Sequence, residues 1–319
     1  MKRNRILIAD VTIDFCSEVD IDLQAISSVY RHHLIEDDGK PAMYKVDFLD
    51  SDKKFQVPDD MKIEWEGGAV CTINPARVYG SRKDGSINVL VSDEVLVEHR
   101  PSERHTICRI YVEHKKKLFG FTRKSSVRPM TFDAIYIITQ MVLSVFGKYA
   151  LHGCCVSKNN AASLFLGSSG VGKSTLSTML AEIGYDFMGD DVVYVGKDES
   201  DQYMVYSSLN DVKLYNKLHT KKNQIDIIKT KKVNYCYKSK IKAIFLMSGD
   251  FYNKQTQIIR CDTDNLYATL IRASNNALMQ YDKNNWLQLY YELSQLPSYV
   301  MVFGNKKYFD PSIIENPNA

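Results

Sequence analysis

One stretch narrows the options of this chain more than any other. Gly167-Ser168-Ser169-Gly170-Val171-Gly172-Lys173-Ser174 satisfies G-x-x-x-x-G-K-[ST] at every constrained position, and Thr175 follows it. It comes after the apolar run Ala161-Ala-Ser-Leu-Phe-Leu166, which reads as a strand, and leads into an amphipathic segment from Ser174 to Ile183, which reads as a helix. That is the context the motif needs. Its glycines let the backbone turn tightly, so successive N–H groups converge on phosphate oxygens, and the positive end of the helix adds a favourable dipole. The Lys173 ammonium is then expected to reach the β- and γ-phosphates of ATP, and the Ser174 hydroxyl to help hold Mg²⁺. The alternative is a glycine turn that binds no nucleotide.

Seventeen residues beyond Lys173 stands Asp190, with Asp191 beside it, in Phe187-Met-Gly-Asp-Asp-Val-Val-Tyr-Val195. Adjacent like charges repel, and a bound cation relieves that repulsion. One carboxylate can support the metal while its neighbour accepts a proton from an attacking hydroxyl. A solvated acidic turn is the bland reading of the same pair. His152 lies twenty-one residues before Lys173, at the start of the strand pair that feeds the loop. Taken alone it reads as a packed core histidine.

Composition sets the frame for these motifs. With 319 residues, 45% hydrophobic and 25% charged, the chain has the make-up of a globular protein of two domains, or of one with an elaborate N-terminal part. Forty-one Lys plus Arg against 38 Asp plus Glu leave a net +3, too near balance for a whole-chain nucleic-acid or membrane-surface binder. The seven cysteines, Cys16, Cys71, Cys108, Cys154, Cys155, Cys236 and Cys261, are scattered with no C-x-x-C pair, as expected of reduced thiols in the cytoplasm. Asp10 cuts the apolar run Ile6–Ala9, so no secretory segment is read. The longest uncharged apolar stretch, Ala134–Gly147, has 14 residues, against roughly 20 for a membrane span.

Two domains are expected, 1–130 and 131–319. Short alternating runs at Ala42–Leu49, Ile87–Val91 and Cys108–Val112, with turns at Lys83-Asp-Gly85 and Arg100-Pro101, point to a β-rich, antiparallel N-terminal domain. Its histidines, His32, His33, His99, His105 and His114, show no metal-ligand spacing. Thr131 opens an apolar helix of about 16 residues. Strand patterns then fall at Ala150–Val156, Asp191–Val195, Tyr203–Tyr206, Ile241–Met247 and Tyr299–Phe303, and helical ones at Asp264–Ala273 and Asn285–Leu296, a mixed α/β half. Between Lys213 and Lys242 there are ten lysines and one acid, Asp226. Either this is a solvated basic loop, or it is a lid that attracts an acidic peptide or touches nucleotide phosphates. Aromatic interleaving is limited to Tyr235 and Tyr237, which argues against nucleic acid.

Leu151-His-Gly153, the strand pair, the 167–174 loop and Gly189-Asp-Asp-Val192 together resemble the catalytic domain of the HPr kinase/phosphorylase family. The closing segment Leu296-Pro-Ser-Tyr-Val-Met-Val-Phe303 is similar to that of the smaller HPr-kinase-like proteins of peptide-modification clusters. The resemblance implies an α/β fold, with a P-loop kinase domain related to HPr kinase and phosphoenolpyruvate carboxykinase behind the β-rich domain. It implies that residues 167–175 bind ATP, that Lys173 holds the β- and γ-phosphates, and that Ser174 and Asp190 serve Mg²⁺. By the same resemblance Asp191 accepts the proton of the acceptor hydroxyl and His152 lies near the transferred phosphoryl group. The implied activity is an ATP- and Mg²⁺-dependent kinase acting on a hydroxyl, foremost a Ser of a peptide or small protein. A small-molecule kinase and a nucleotide-binding regulator or ATPase without acceptor are the alternatives, and a homo-oligomer is left open. Two departures matter: Ser208–Tyr215 carries Lys213 where the family has a metal-binding Glu, and the family's C-terminal Arg/Gly-rich signature is missing. HPr itself and phosphorolysis are therefore not expected.

Overall fold

The structure is a computed structural model and describes residues 1–18, 20–56, 62–68, 75–80, 86–91, 94–111, 129–208, 211–215, 222–249, 255–274 and 283–317. The turn read at Lys83–Gly85, together with Cys71, Val112 and His114, lies outside the described residues. The chain divides into two compact units, one over Met1–Phe146 and the other over Gly147–Asn276 and from Asp282 to Ala319.

The first unit is built on the strands β1 (Lys2–Ile8), β2 (Val11–Ser17), β3 (Leu34–Ile35), β4 (Tyr44–Ser51), β5 (Lys62–Gly68), β6 (Pro75–Gly80), β7 (Ile87–Val91), β8 (Val95–Arg100) and β9 (His105–Tyr111). Among the described residues they form one sheet in the order β3-β1-β2-β4-β9-β8-β7-β6-β5. The expected antiparallel sheet is in fact mixed, because β4 runs parallel to both β2 and β9. The helix α1 (Asp20–Val29) is part of the crossover that brings β4 alongside β2 in that sense. β1 and β2 lie ahead of the alternating runs that the sequence shows from about residue 40. Their charges mask the alternation, since Arg5 and Asp14 face each other across the pair and bond at 2.7 Å. The apolar helix α2 (Pro129–Ser144) buries Ala134, Ile135, Ile137, Ile138 and Met141 completely. It packs on α1, β7, β8 and β9 of this unit, whereas the sequence reading assigned it to the second domain. A helix apolar on all sides needs cover all round, and α1 supplies the side the sheet leaves open.

The second unit contains β10 (Tyr149–Leu151), β11 (Gly153–Lys158), β12 (Ala161–Leu166), α3 (Lys173–Glu182), β13 (Asp186–Gly189), β14 (Val193–Lys197), β15 (Tyr203–Ser207), β16 (Asp211–Tyr215), β17 (Lys222–Asp226), α4 (Ile227–Lys231), β18 (Lys238–Gly249), β19 (Gln257–Arg260), α5 (Thr263–Ala273), α6 (Lys283–Leu293), β20 (Ser298–Phe303) and α7 (Ser312–Glu315). The main sheet runs β10-β14-β15-β18-β12-β11-β13, and β20 lies beside β18 with β19 at its far side. β11 and β12 are joined by Asn159 and Asn160, both at positive φ, 53° and 58°. That is the two-residue hairpin geometry that asparagine tolerates. β12 runs parallel to β18 and is buried from Ala162 to Leu166, as a central strand covered on both faces should be. Over it, Leu176 and Leu180 of α3 share a core with Phe165, Phe245, Tyr299, Met301 and Phe303. The rings of Phe165 and Phe245 stack at 5.1 Å, and those of Phe245 and Tyr299 at 5.5 Å. This core fixes α3, and with it the loop between β12 and α3.

Candidate functional site

The loop 167–172 leaves the buried end of β12 and enters α3 at Lys173. Three of its glycines adopt positive φ: Gly167 at 155°, Gly170 at 89° and Gly172 at 99°. A side chain at Gly167 would also meet the Met247 carbonyl at 2.6 Å, so the strand next door forbids one. Ser168, Ser169 and Gly170 are exposed, while Val171 is tucked against the α3 core. The loop is therefore anchored at one point and open to a ligand along its crest.

Lys173 is buried, with 6% of its surface exposed. Its ammonium donates to the carbonyls of Gly167 at 2.7 Å and Ser168 at 3.1 Å, and lies 3.2 Å from Nε2 of His152. An ammonium has only donors, so Nε2 accepts and the imidazole proton sits on Nδ1. The lysine is thus folded over its own loop, where a phosphate oxygen can replace a carbonyl. Ser174 stands one residue on, and its hydroxyl donates to Oδ1 of Asp190 at 2.9 Å. Asp190 is buried at 1% exposure. Ser174 and Asp190 supply hard oxygen donors side by side, a set that fits Mg²⁺, which keeps most of its shell for phosphate oxygens and water. Among the described residues no group of three His, Cys, Asp or Glu side chains could hold a metal ion.

His152 interrupts the run read as one strand from Ala150 to Val156: β10 ends before it and β11 begins after it. Its backbone N–H donates to the carbonyl of Ala273 at 2.7 Å, and Leu151 bridges Ser274. The C-terminal end of α5 therefore holds the histidine in place, a long-range contact that no local sequence signal announces. The neighbouring Gly153 has no room for a side chain, which would meet the Phe165 carbonyl at 2.7 Å.

Asp191 does not begin a strand as the sequence reading has it; β14 starts at Val193. The residue sits at φ 65°, and the Val192 N–H donates to the Asp190 carbonyl at 2.8 Å across it. Asp191 is thus the centre of a three-residue turn of the strained hand. Ser208 steadies the turn by donating its hydroxyl to the Val192 carbonyl. Cys154, fully buried on β11, donates its thiol to the Lys173 carbonyl at 3.3 Å. Burial pushes that thiol far above its ordinary pKa, Asp190 and Asp191 raise it further, and Lys173 opposes them. Both carboxylates and the lysine thus act on one point behind the loop.

Two described lysines of the basic tract lie away from the loop. Lys240 pairs with Ala161 at the far end of β12, so at about 3.3 Å per residue it stands roughly 16 Å of strand from the loop. Lys231 pairs with Glu182 at 2.8 Å, at the C-terminal end of α3, away from Lys173. Lys231 and Lys240 therefore do not cover the loop. Lys217 and Lys221 lie outside the described residues. Three other described histidines have local partners: the His33 Nδ1 lies 3.1 Å from the Leu7 carbonyl, His99 is buried against Tyr44 and Thr106, and His105 bonds Asp47 at 2.8 Å. No described helix is long and apolar enough to cross a membrane.

No family model matches the chain, and no curated protein matches it. Among solved structures it is similar to the Hpr(Ser) kinase/phosphatase from Coxiella burnetii, at 14% identity and a TM-score of 0.31, over 52% of this chain and 91% of that one. A likeness this distant carries no argument of its own, and the functional reading rests on the loop, the lysine and the carboxylate pair.

Proposed function

We propose that the second unit is a P-loop kinase domain of the kind found in HPr kinase and phosphoenolpyruvate carboxykinase, transferring the γ-phosphoryl group of ATP to a hydroxyl. The observation that carries this reading is the joint placement of Lys173 over the glycine loop and of Ser174 on Asp190 at 2.9 Å. On binding, the loop N–H groups take the phosphate oxygens, and Lys173 exchanges a loop carbonyl for an oxygen of the β- or γ-phosphate. Mg²⁺, held at Ser174 and Asp190, would neutralise charge on those phosphates. Asp191 takes the proton of the acceptor hydroxyl as its oxygen bonds to the γ-phosphorus, and the bond from that phosphorus to the β–γ bridging oxygen breaks, releasing ADP. The acceptor in this reading is a Ser of a peptide or small protein, with a small metabolite as the second choice.

Calorimetric titration with ATP and magnesium tests the reading. The wild-type protein is expected to bind, and Lys173→Ala to lose both binding and turnover while its melting temperature holds. Unchanged ATP binding by Lys173→Ala would overturn the assignment.

A further inference from the structure

We infer that Arg272 is a further catalytic residue, a guanidinium that bonds the transferred phosphoryl group; this rests on the nucleotide reading above. Arg272 is exposed in the last turn of α5. The next residue, Ala273, gives its carbonyl to the His152 N–H at 2.7 Å, and His152 in turn lies 3.2 Å from the Lys173 ammonium. Two short links therefore connect the backbone beside Arg272 to the lysine of the loop. The topology puts it at the right end of the sheet, since α5 packs on β12 and Gly153, next to His152, pairs with Leu166, the last residue before the loop. In this inference the Arg272 side chain extends from that helix end toward a phosphoryl group seated in front of Lys173.

The other arginine and the lysines of the basic tract discussed above fit less well. Arg260 is the other arginine of the chain beyond Asp191, and it lies on β19, separated from β12 by β20 and β18. Lys231, Lys238, Lys240 and Lys242 are at the opposite ends of α3 and β12. Charge spreads over the equatorial oxygens of the phosphoryl group in transfer, and a planar guanidinium can bond two of them at once. The competing role is plain: a cation in the last turn of a helix offsets the negative end of its dipole.

The two roles separate in an experiment that needs no acceptor, because water can take its place: its oxygen bonds to the γ-phosphorus, and ADP and phosphate leave. Basal ATP hydrolysis is measured for the wild type, Arg272→Ala and Arg272→Lys, together with binding of MgADP alone and of MgADP with aluminium fluoride, a mimic of the transferring group. Arg272→Ala is expected to bind MgADP normally, to lose affinity for the aluminium fluoride complex, and to hydrolyse ATP slower by roughly 10³-fold. Arg272→Lys keeps the helix-end charge without the fork and is expected not to recover. Unchanged hydrolysis in Arg272→Ala, or full activity in Arg272→Lys, overturns the inference and leaves the nucleotide reading standing. A wild-type protein that binds no MgADP overturns both.

Discussion

The Lys173 ammonium and the Nε2 of His152 lie 3.2 Å apart, joining the first residue of α3 to the break between β10 and β11. A lysine held by two carbonyls and one imidazole is positioned before any ligand arrives. One hydrogen bond to a charged group is worth about 1.5–3 kcal/mol, so His152→Ala should lower kcat/KM for ATP by about 10- to 100-fold. Steady-state hydrolysis checks this, with the melting temperature as a control for folding. Unchanged kinetics would make His152 a packing residue only.

The break at His152 depends on Gly153. A Cβ there would meet the Phe165 carbonyl at 2.7 Å and a Leu166 methyl at 2.8 Å, which means pushing β11 away from β12 just before the loop. Gly153→Ala is expected to cost about 1–3 kcal/mol, the range for overpacking a filled site. Urea unfolding measures it, and a loss well below that range would show that the two strands part easily.

The loop, its strand and its helix were legible in the sequence because they are local: spacing, glycines and an apolar run suffice. The sequence singled out both Ser174 and Asp190, but that the hydroxyl donates to the carboxylate follows from the fold that brings α3 and the end of β13 together. The contact of His152 with Ala273 was not legible, because it joins residues from distant parts of the chain through backbone groups that any sequence possesses. Nor was the turn at Asp191, where the apolar run after the carboxylates reads as a strand beginning two residues early. In the first unit β1 and β2 were hidden because charged residues such as Arg5 and Asp14 stand in the strands and neutralise each other, a pairing that periodicity cannot see. Within the lysine tract, β18 carries Lys238, Lys240 and Lys242 toward the end of the sheet remote from the loop, a placement that charge counting cannot give.

The first unit should carry its own dependence on pH. His99 is fully buried, bonded at Nδ1 to Tyr44 and Thr106, and burial lowers its pKa from 6.5 to about 3. Between those values the unfolded chain binds a proton that the folded chain does not, so stability falls as pH drops through that interval and is fully present above it. Urea midpoints followed by a probe in this unit are expected to decline from 6.5 toward 3. His99→Gln should flatten the decline, and an equal slope in the variant would place the effect elsewhere.

Asp191 combines two demands that pull against each other. Its φ of 65° and the 2.8 Å bond from Val192 to Asp190 hold it in a turn that costs a residue with a side chain on the order of 1–3 kcal/mol. Aspartate and asparagine bear positive φ better than most residues. Asp191→Asn should therefore fold normally and bind Mg-ATP, yet lose phosphoryl transfer by about 10²- to 10⁴-fold, the range for a missing general base. Asp191→Gly relieves the backbone and should hold or raise the melting temperature with the same loss of transfer. Asp191→Val, branched where the turn allows least, should lose about 1 kcal/mol or more of stability. Melting curves and transfer rates measured on the three variants together decide the matter: if activity survives in Asp191→Asn, the strained turn serves the fold and the proton leaves by another route.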